Sequence, residues 1–387
     1  MCNKEQRFEI TTKVNEGFLK INYLRDKNHP NDNFKYEYIN KKDATAIILF
    51  NYNYTKFYLV KQFRVGVMDE IWEIPAGILE DHLTPLENSL KELEEEVGYN
   101  KDDITNIIDL GSSYVSPGYS TEKIHYFSGR LKKDAVKKEK KLDENEIIID
   151  EGFFSYKEAK EIGAFLDAKT LLAYELYRQI PKKKIGIFGG TFNPVTNYHI
   201  RIMLHTINSL KLDKLYIEPV SDKYMYKDKT DILPVTHRIN MLKLEVDRYE
   251  KIIIGNYDIS NFNDKINRCP TIDTLNYYKE QYGDAEIYFI CGSDNLKTVS
   301  SWIKSEEILS KYKIAVYARE NENINNEIIA KDNLLLKYNK NIEIIHDNFV
   351  NNISSSMVRD YIKNKITTYG LISEKIEKYI LEESLYL

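Results

Sequence analysis

The chain has 387 residues, enough for two or three domains each with its own core. Its formal net charge is −5 with 30% charged residues, which excludes general attraction to nucleic acid or to an anionic membrane. Cys2, Cys269 and Cys291 lie too far apart for a metal-ligand spacing and read as reduced thiols. The start, Met1-Cys-Asn-Lys-Glu-Gln-Arg7, lacks the apolar core of a signal peptide, and no apolar run reaches membrane-spanning length. A cytoplasmic protein is expected.

In chain order, strand patterns come first, at Phe18–Tyr23, Ala44–Phe50 and Lys56–Val60. Helical patterns follow at about 85–97 and 155–178. In the first of these, Leu86, Leu90, Leu93 and Val97 form one stripe, so that face is expected to be buried. Glu92, Glu95 and Glu96 then project from the other side, with Glu92 and Glu96 one turn apart. Like charges at that spacing repel, at a cost of about a few tenths of a kcal/mol per pair. On spacing alone they are either a solvated acidic face or a set of hard oxygen ligands. Proline and a lysine run, Gln179-Ile-Pro-Lys-Lys-Lys184, then break the helical pattern and mark a short linker.

Beyond residue 184 apolar strands alternate with helices, as in a parallel sheet with ligands at the carboxyl ends of its strands. Ile185–Phe188, Leu215–Ile217, Ile287–Ile290 and Ile314–Tyr317 are the strand candidates. The first runs into Gly189-Gly-Thr-Phe-Asn-Pro-Val-Thr-Asn-Tyr-His199 and then the helical pattern from Ile200. Two glycines allow close approach of an anion, and His199 arrives at a helix N-terminus, where free N–H groups favour phosphate. The expected organisation is an α+β domain over residues 1–180 and an α/β, Rossmann-like domain over 184–387.

The second domain resembles nicotinamide or nicotinate mononucleotide adenylyltransferases. Thr196-Asn-Tyr-His199 is similar to their (Thr/His)-x-x-His signature, and Ile353-Ser-Ser-Ser-Met-Val-Arg359 to their Ile-Ser-Ser-Thr-x-x-Arg phosphate motif. Between them, in the family's order, stand Pro219-Val-Ser-Asp-Lys-Tyr224, Pro234-Val-Thr-His-Arg238, Thr271-Ile-Asp-Thr-Leu275, Phe289-Ile-Cys-Gly-Ser-Asp294 and Trp302. The resemblance implies adenylyl transfer from ATP, with Mg²⁺ riding on the triphosphate. By it His199 is catalytic, with Arg359 one turn beyond the serines. Gly189, Gly190, Thr191, Phe192 and Thr196 line the cradle, and Ser354 and Ser355 face the triphosphate. Gly292 and Asp294 contact a ribose, Trp302 stacks on the pyridine ring, and Lys227 and Lys229 reach phosphate. Thr196-Asn-Tyr-His199 and Phe192-Asn-Pro lean towards eukaryotic enzymes that accept amide and acid forms, so use of the amide at least as well as the acid is expected. Thr271-Ile-Asp-Thr-Leu275 leans back towards the bacterial type.

The first domain resembles Nudix hydrolases through Gly77-x13-Lys-Glu-Leu-Glu-Glu-Glu-Val-Gly-Tyr99. Val60-Lys-Gln-Phe-Arg64, Glu73-Ile-Pro-Ala-Gly77, Ser116–Glu122 and Leu142–Glu146 are similar to the ADP-ribose pyrophosphatase branch. The resemblance implies Mg²⁺ or Mn²⁺ held by the Ala76 carbonyl, Glu92, Glu95, Glu96 and Glu146. Glu96 is implied as catalytic, Glu144 as a base, and Arg64 and Glu73 as substrate contacts. The box departs from the family at Leu83 and Lys91, where a glutamate and an arginine that pair together are expected; the loss removes a pair rather than stranding a charge. The substrates implied are small nucleotides, with no nucleic acid or membrane partner, and a homodimer through this domain is expected. The alternative for this half is a non-catalytic ADP-ribose or NAD sensor that regulates synthesis.

Overall fold

Apolar runs covered on both faces build the centre of each half. The computed structural model describes residues 8–14, 20–26, 28, 35–142, 147–221, 223, 232–266, 268–317, 322–347 and 353–387. Glu144, Glu146, Lys227 and Lys229 therefore lie outside the described residues. The chain divides into two compact units, Met1–Pro181 and Lys182–Leu387.

In the first unit, β1 (Phe8–Val14), β2 (Lys20–Asp26) and β3 (Lys35–Asn40) form an antiparallel sheet. The strand expected from residue 18 thus runs later, over Lys20–Asp26. A second sheet contains β4 (Ala44–Phe50), β5 (Phe57–Arg64), β6 (Asp69–Glu73), β7 (Ala76–Ile78), β8 (Ile104–Tyr114), β9 (Lys123–Leu131) and β10 (Ile148–Phe154). Its order is β10-β5-β4-β9-β8, with β6 paired to β5 and β7 to β4. Strand β4 runs parallel to β9 and antiparallel to β5 and β7. Ala46, Ile47, Ile48 and Leu49 are fully buried, because helices cover both sides of β4. Ile47 and Leu49 meet Leu93 and Val97, while Ala46 and Ile48 meet Ala173.

Helix α1 (Pro85–Glu92) begins at a Thr84–Glu87 capping box and passes into a π-turn, Leu93–Val97, closed by Gly98 N–H on the Leu93 carbonyl at 3.0 Å. The helix expected over 155–178 is divided. Left-handed Gly163 (φ 75°) follows α2 (Tyr156–Glu161), and Asp167 caps α3 (Ala168–Arg178) afresh.

The second unit holds β11 (Lys184–Gly190), β12 (Lys214–Pro219), β13 (Ile252–Ile254), β14 (Glu286–Gly292), β15 (Lys313–Tyr317) and β16 (Ile342–Ile345). All five pairings are parallel, in the order β13-β12-β11-β14-β15-β16. Strand order reverses between β11 and β14, the point where such sheets open a crevice at their carboxyl ends. The helices are α4 (Asn197–Leu210), α5 (Val235–Val246), α6 (Tyr257–Ser260), α7 (Thr271–Tyr282), α8 (Ser293–Leu296), α9 (Ser305–Lys311), α10 (Glu322–Lys331), α11 (Asn333–Lys337), α12 (Ser355–Lys363) and α13 (Glu374–Glu382). One core packs α4, α5, α12 and α13 against Phe188, Ile217 and Ile290. The other packs α7, α8 and α9 against Ile187, Phe289 and Cys291.

Candidate active sites

Gly189 and Gly190 end β11 and Gly292 ends β14, so the two glycine turns flank the reversal point. A Cβ on Gly190 would lie 2.9 Å from the Phe192 ring, so glycine is needed for the chain to fold over that side chain. Phe192 itself is left-handed (φ 47°) and buried, packed edge-on against the His199 ring at 5.3 Å. Phe192 thus packs inside the turn, between Phe188 and His199.

Thr196 caps α4 in a box closed by His199. The Thr196 N–H donates to His199 Nδ1 at 3.1 Å, and the Thr196 hydroxyl lies 2.8 Å from the same nitrogen. Nδ1 is therefore an acceptor, and in the neutral ring the proton sits on Nε2. The late motif reaches the same turn. Ser354 caps α12, with its Oγ accepting from Met357 N–H at 3.1 Å. The Ser355 hydroxyl donates to the Pro194 carbonyl at 2.8 Å, and Arg359 Nη1 to the Asn193 carbonyl at 2.7 Å. Arg359 and Ser355 thus brace the turn directly. Residues some 160 positions apart in sequence are joined here through backbone carbonyls.

Across the reversal point, Trp302 packs edge-on against Phe289 at 5.6 Å, and its Nε1 donates to Thr298 Oγ1 at 3.2 Å. Asp294 is exposed in the first turn of α8. Glu218, fully buried at the end of β12, accepts from the Tyr278 hydroxyl and, at 3.3 Å, from Asp258 N–H. Burial pushes its carboxyl up to about 7. Asp258, which accepts from Thr274 Oγ1 at 2.5 Å, is likewise pushed up by burial to about 6. Burial also raises the free thiols Cys269, to about 12, and Cys291, so neither is an activated nucleophile.

In the first unit two carboxylates meet the strand β7. Glu96, 1% exposed, accepts from Ala76 N–H at 3.3 Å and from Gln62 Nε2 at 3.2 Å. Glu92 lies over Gly77, where a Cβ would stand 1.9 Å from its Oε1, so this glycine makes the space the carboxylate fills. Glu95 departs from expectation: its carboxylate turns outward to Lys91 Nζ at 2.9 Å. Among the described residues no three acidic, histidine or cysteine side chains form a group that could hold a metal ion. Glu92 and Glu96, hard oxygen donors brought to adjacent residues of one strand, do fit Mg²⁺ or Mn²⁺. Lys141 N–H donates to the Glu95 carbonyl at 3.1 Å, so the segment entering 143–146 is fastened to the end of the carboxylate helix.

The pair expected to be lost at Leu83 and Lys91 is replaced. Lys91 Nζ reaches Glu80 Oε1 at 2.8 Å, three residues before Leu83. Buried Asn88 adds a second brace, accepting from Glu80 N–H at 3.0 Å and donating to Thr45 Oγ1 at 3.0 Å. Glu73 is also placed differently from a substrate contact. Its side chain is 3% exposed and ion-paired with Arg64 and, at 2.5 Å, with Lys169. It holds Arg64 at the end of β5. Neither Lys169 nor Asn88 carried a signal in sequence beyond its residue type.

Sheet order and glycine turn place a nucleotide-binding type of crevice in the second unit, and the first unit sets a carboxylate helix against a glycine strand. Residues 187–361 match the cytidylyltransferase-like family, and residues 40–174 match the NUDIX domain. Over 204 residues the chain is 30% identical to a Clostridium tetani protein named probable nicotinate-nucleotide adenylyltransferase, covering 99% of that protein and 53% of this chain. A Clostridium novyi protein of the same name is 32% identical with the same coverage, and one from Caldicellulosiruptor bescii is 31% identical over 205 residues, 98% of its length and 52% of this chain. Through its second half, the chain belongs to the nicotinate-nucleotide adenylyltransferase family, and it carries a Nudix domain ahead of it. Among the described residues no helix is long and apolar enough to cross a membrane.

Proposed function

We propose that the second unit transfers the adenylyl group of ATP to nicotinate mononucleotide. An oxygen of the mononucleotide 5′-phosphate attacks the α-phosphorus, the bond to the β-phosphate oxygen breaks, and pyrophosphate leaves with that electron pair. Such transfers need positioning and charge neutralisation more than covalent help. The observation that carries the reading is the Thr196–His199 box, which fixes the imidazole at a helix N-terminus with its neutral-form proton on Nε2, ready to donate to a phosphate oxygen. Trp302, beyond the reversal point, supplies an aromatic wall for the pyridine ring. The acid form is preferred in this reading because likeness over 204 residues outweighs the four-residue signature that leans towards the amide. His199→Ala should lower adenylyl transfer by at least ~10²-fold, the scale for losing one charge-stabilising donor. Wild-type turnover in the folded variant would refute the role.

The first unit, in the same reading, hydrolyses the diphosphate of ADP-ribose or a related nucleoside diphosphate derivative. Glu92 and Glu96 would hold Mg²⁺ or Mn²⁺, which supplies positive charge against the diphosphate. Arg64, buttressed by Glu73 and Lys169, contacts substrate. The space that Gly77 leaves for Glu92 favours hydrolysis over a sensor, since a sensor has no need of two carboxylates converging on one strand.

A further inference from the structure

Arg238, which closes the Pro234–Arg238 motif, is fully buried. Its guanidinium donates to three backbone carbonyls from three segments: Nη1 to Thr191 at 2.8 Å, Nη2 to Val220 at 2.7 Å and Nε to Leu233 at 2.9 Å. Thr191 is in the glycine turn, Val220 follows β12, and Leu233 enters α5. A second connection closes the ring. Leu233 N–H donates to Asn193 Oδ1 at 3.3 Å, and the same oxygen accepts from the Tyr386 hydroxyl at 2.6 Å. Gly190 O accepts from Val220 N–H at 3.0 Å, so the turn is tied at Gly190, Thr191, Asn193 and Pro194.

We propose that Arg238 and Tyr386 are positioning residues for adenylyl transfer, which hold the Gly189–His199 turn in the shape that receives the triphosphate. A turn that binds anions through backbone N–H groups must keep its carbonyls turned away from the charge. The Gly190, Thr191, Asn193 and Pro194 carbonyls each have a fixed partner on the protein side, and the Val220 and Leu233 bonds of Arg238 anchor that clamp to the neighbouring segments. A guanidinium suits the task because its planar fork reaches three acceptors at once, which an ammonium on a flexible stem cannot match. The two residues touch neither nucleotide in this account; they act through Thr191 and Asn193. The proposal rests on the reading of this unit as an adenylyltransferase.

Tyr386→Phe in the whole 387-residue chain removes one hydroxyl and keeps the ring, so the fold should survive. Loss of one hydrogen bond of this kind predicts about a 3- to 10-fold fall in kcat/KM for ATP. The KM for the mononucleotide should stay unchanged, and amide exchange should quicken in peptides spanning Gly189–His199 but not in β14 or β15. Arg238→Lys keeps the charge without the fork and should lose about 10- to 100-fold by the same measures. If wild type is active and Tyr386→Phe shifts neither the ATP parameters nor exchange in the turn, the positioning role is overturned. A general loss, equal for both substrates and tracking a lowered melting temperature, also overturns it. Wild-type protein that adenylylates neither mononucleotide overturns instead the function on which the role rests.

Discussion

Gly77→Ala should silence the first unit without unfolding it. The added methyl would stand 1.9 Å from Glu92 Oε1, 2.0 Å from its Cδ and 2.5 Å from Oε2, with no backbone atom among its nearest neighbours. Glu92 is the far end of a flexible side chain, so it gives way, withdrawing by about 1.5 Å to reach ordinary contact. Stability should therefore change by no more than about 1 kcal/mol, the scale for a surface-accessible adjustment of one side chain. Hydrolysis is another matter. A ligand moved by more than 1 Å from its productive place costs roughly 10²-fold. The assay is release of AMP from ADP-ribose at saturating Mg²⁺, run beside a thermal melt and beside adenylyl transfer by the same preparation. Near-normal ADP-ribose hydrolysis in the folded variant would show that Glu92 over Gly77 is not part of the hydrolytic centre.

Two further outcomes follow from the geometry. Glu96→Gln keeps the size of a buried side chain but not the charge a hard divalent cation needs; ADP-ribose hydrolysis should collapse while adenylyl transfer persists. Loss of both activities in a folded protein would instead reveal coupling of the halves and favour the sensor. Glu218 supplies a pH test. Its carboxyl sits at about 7 in the folded chain against an ordinary value of 4.5, so the native state binds the extra proton between those values. The stability it contributes is present below pH ~4.5 and lost as pH rises through ~7. Between pH 5.5 and 8 the wild-type melting temperature of the second unit should fall more than that of Glu218→Gln, and equal slopes would remove Glu218 as the cause.

The parts legible in sequence were those with a local signature. Ala44–Phe50 stood out because a strand covered on both faces must be apolar throughout, and Lys184–Gly190 because lysines and glycines bracket its apolar core. The π-turn at Leu93–Val97 was hidden, since a stripe at 86, 90, 93 and 97 fits an α-helix equally well; the Lys91–Glu95 pair has the ordinary i,i+4 spacing. The break at Gly163 was hidden in the same way, since apolar spacing resumes after Asp167. The partners of Arg238, Lys169 and Tyr386 were beyond reach for another reason. Most of them are carbonyls, a carboxylate and an amide in other segments of the chain, and no periodicity encodes where loops will meet. Even the replacement of the lost Nudix pair by Lys91–Glu80 needs the loop's path, which only the folded chain supplies.

The most direct measurement gives the purified 387-residue chain ATP, Mg²⁺ and either nicotinate or nicotinamide mononucleotide, and follows dinucleotide and pyrophosphate by initial rate. The account predicts stoichiometric formation of both products, with kcat/KM higher for the nicotinate form and dependent on His199. Absence of dinucleotide from either substrate, with the protein folded and ATP saturating, would contradict it.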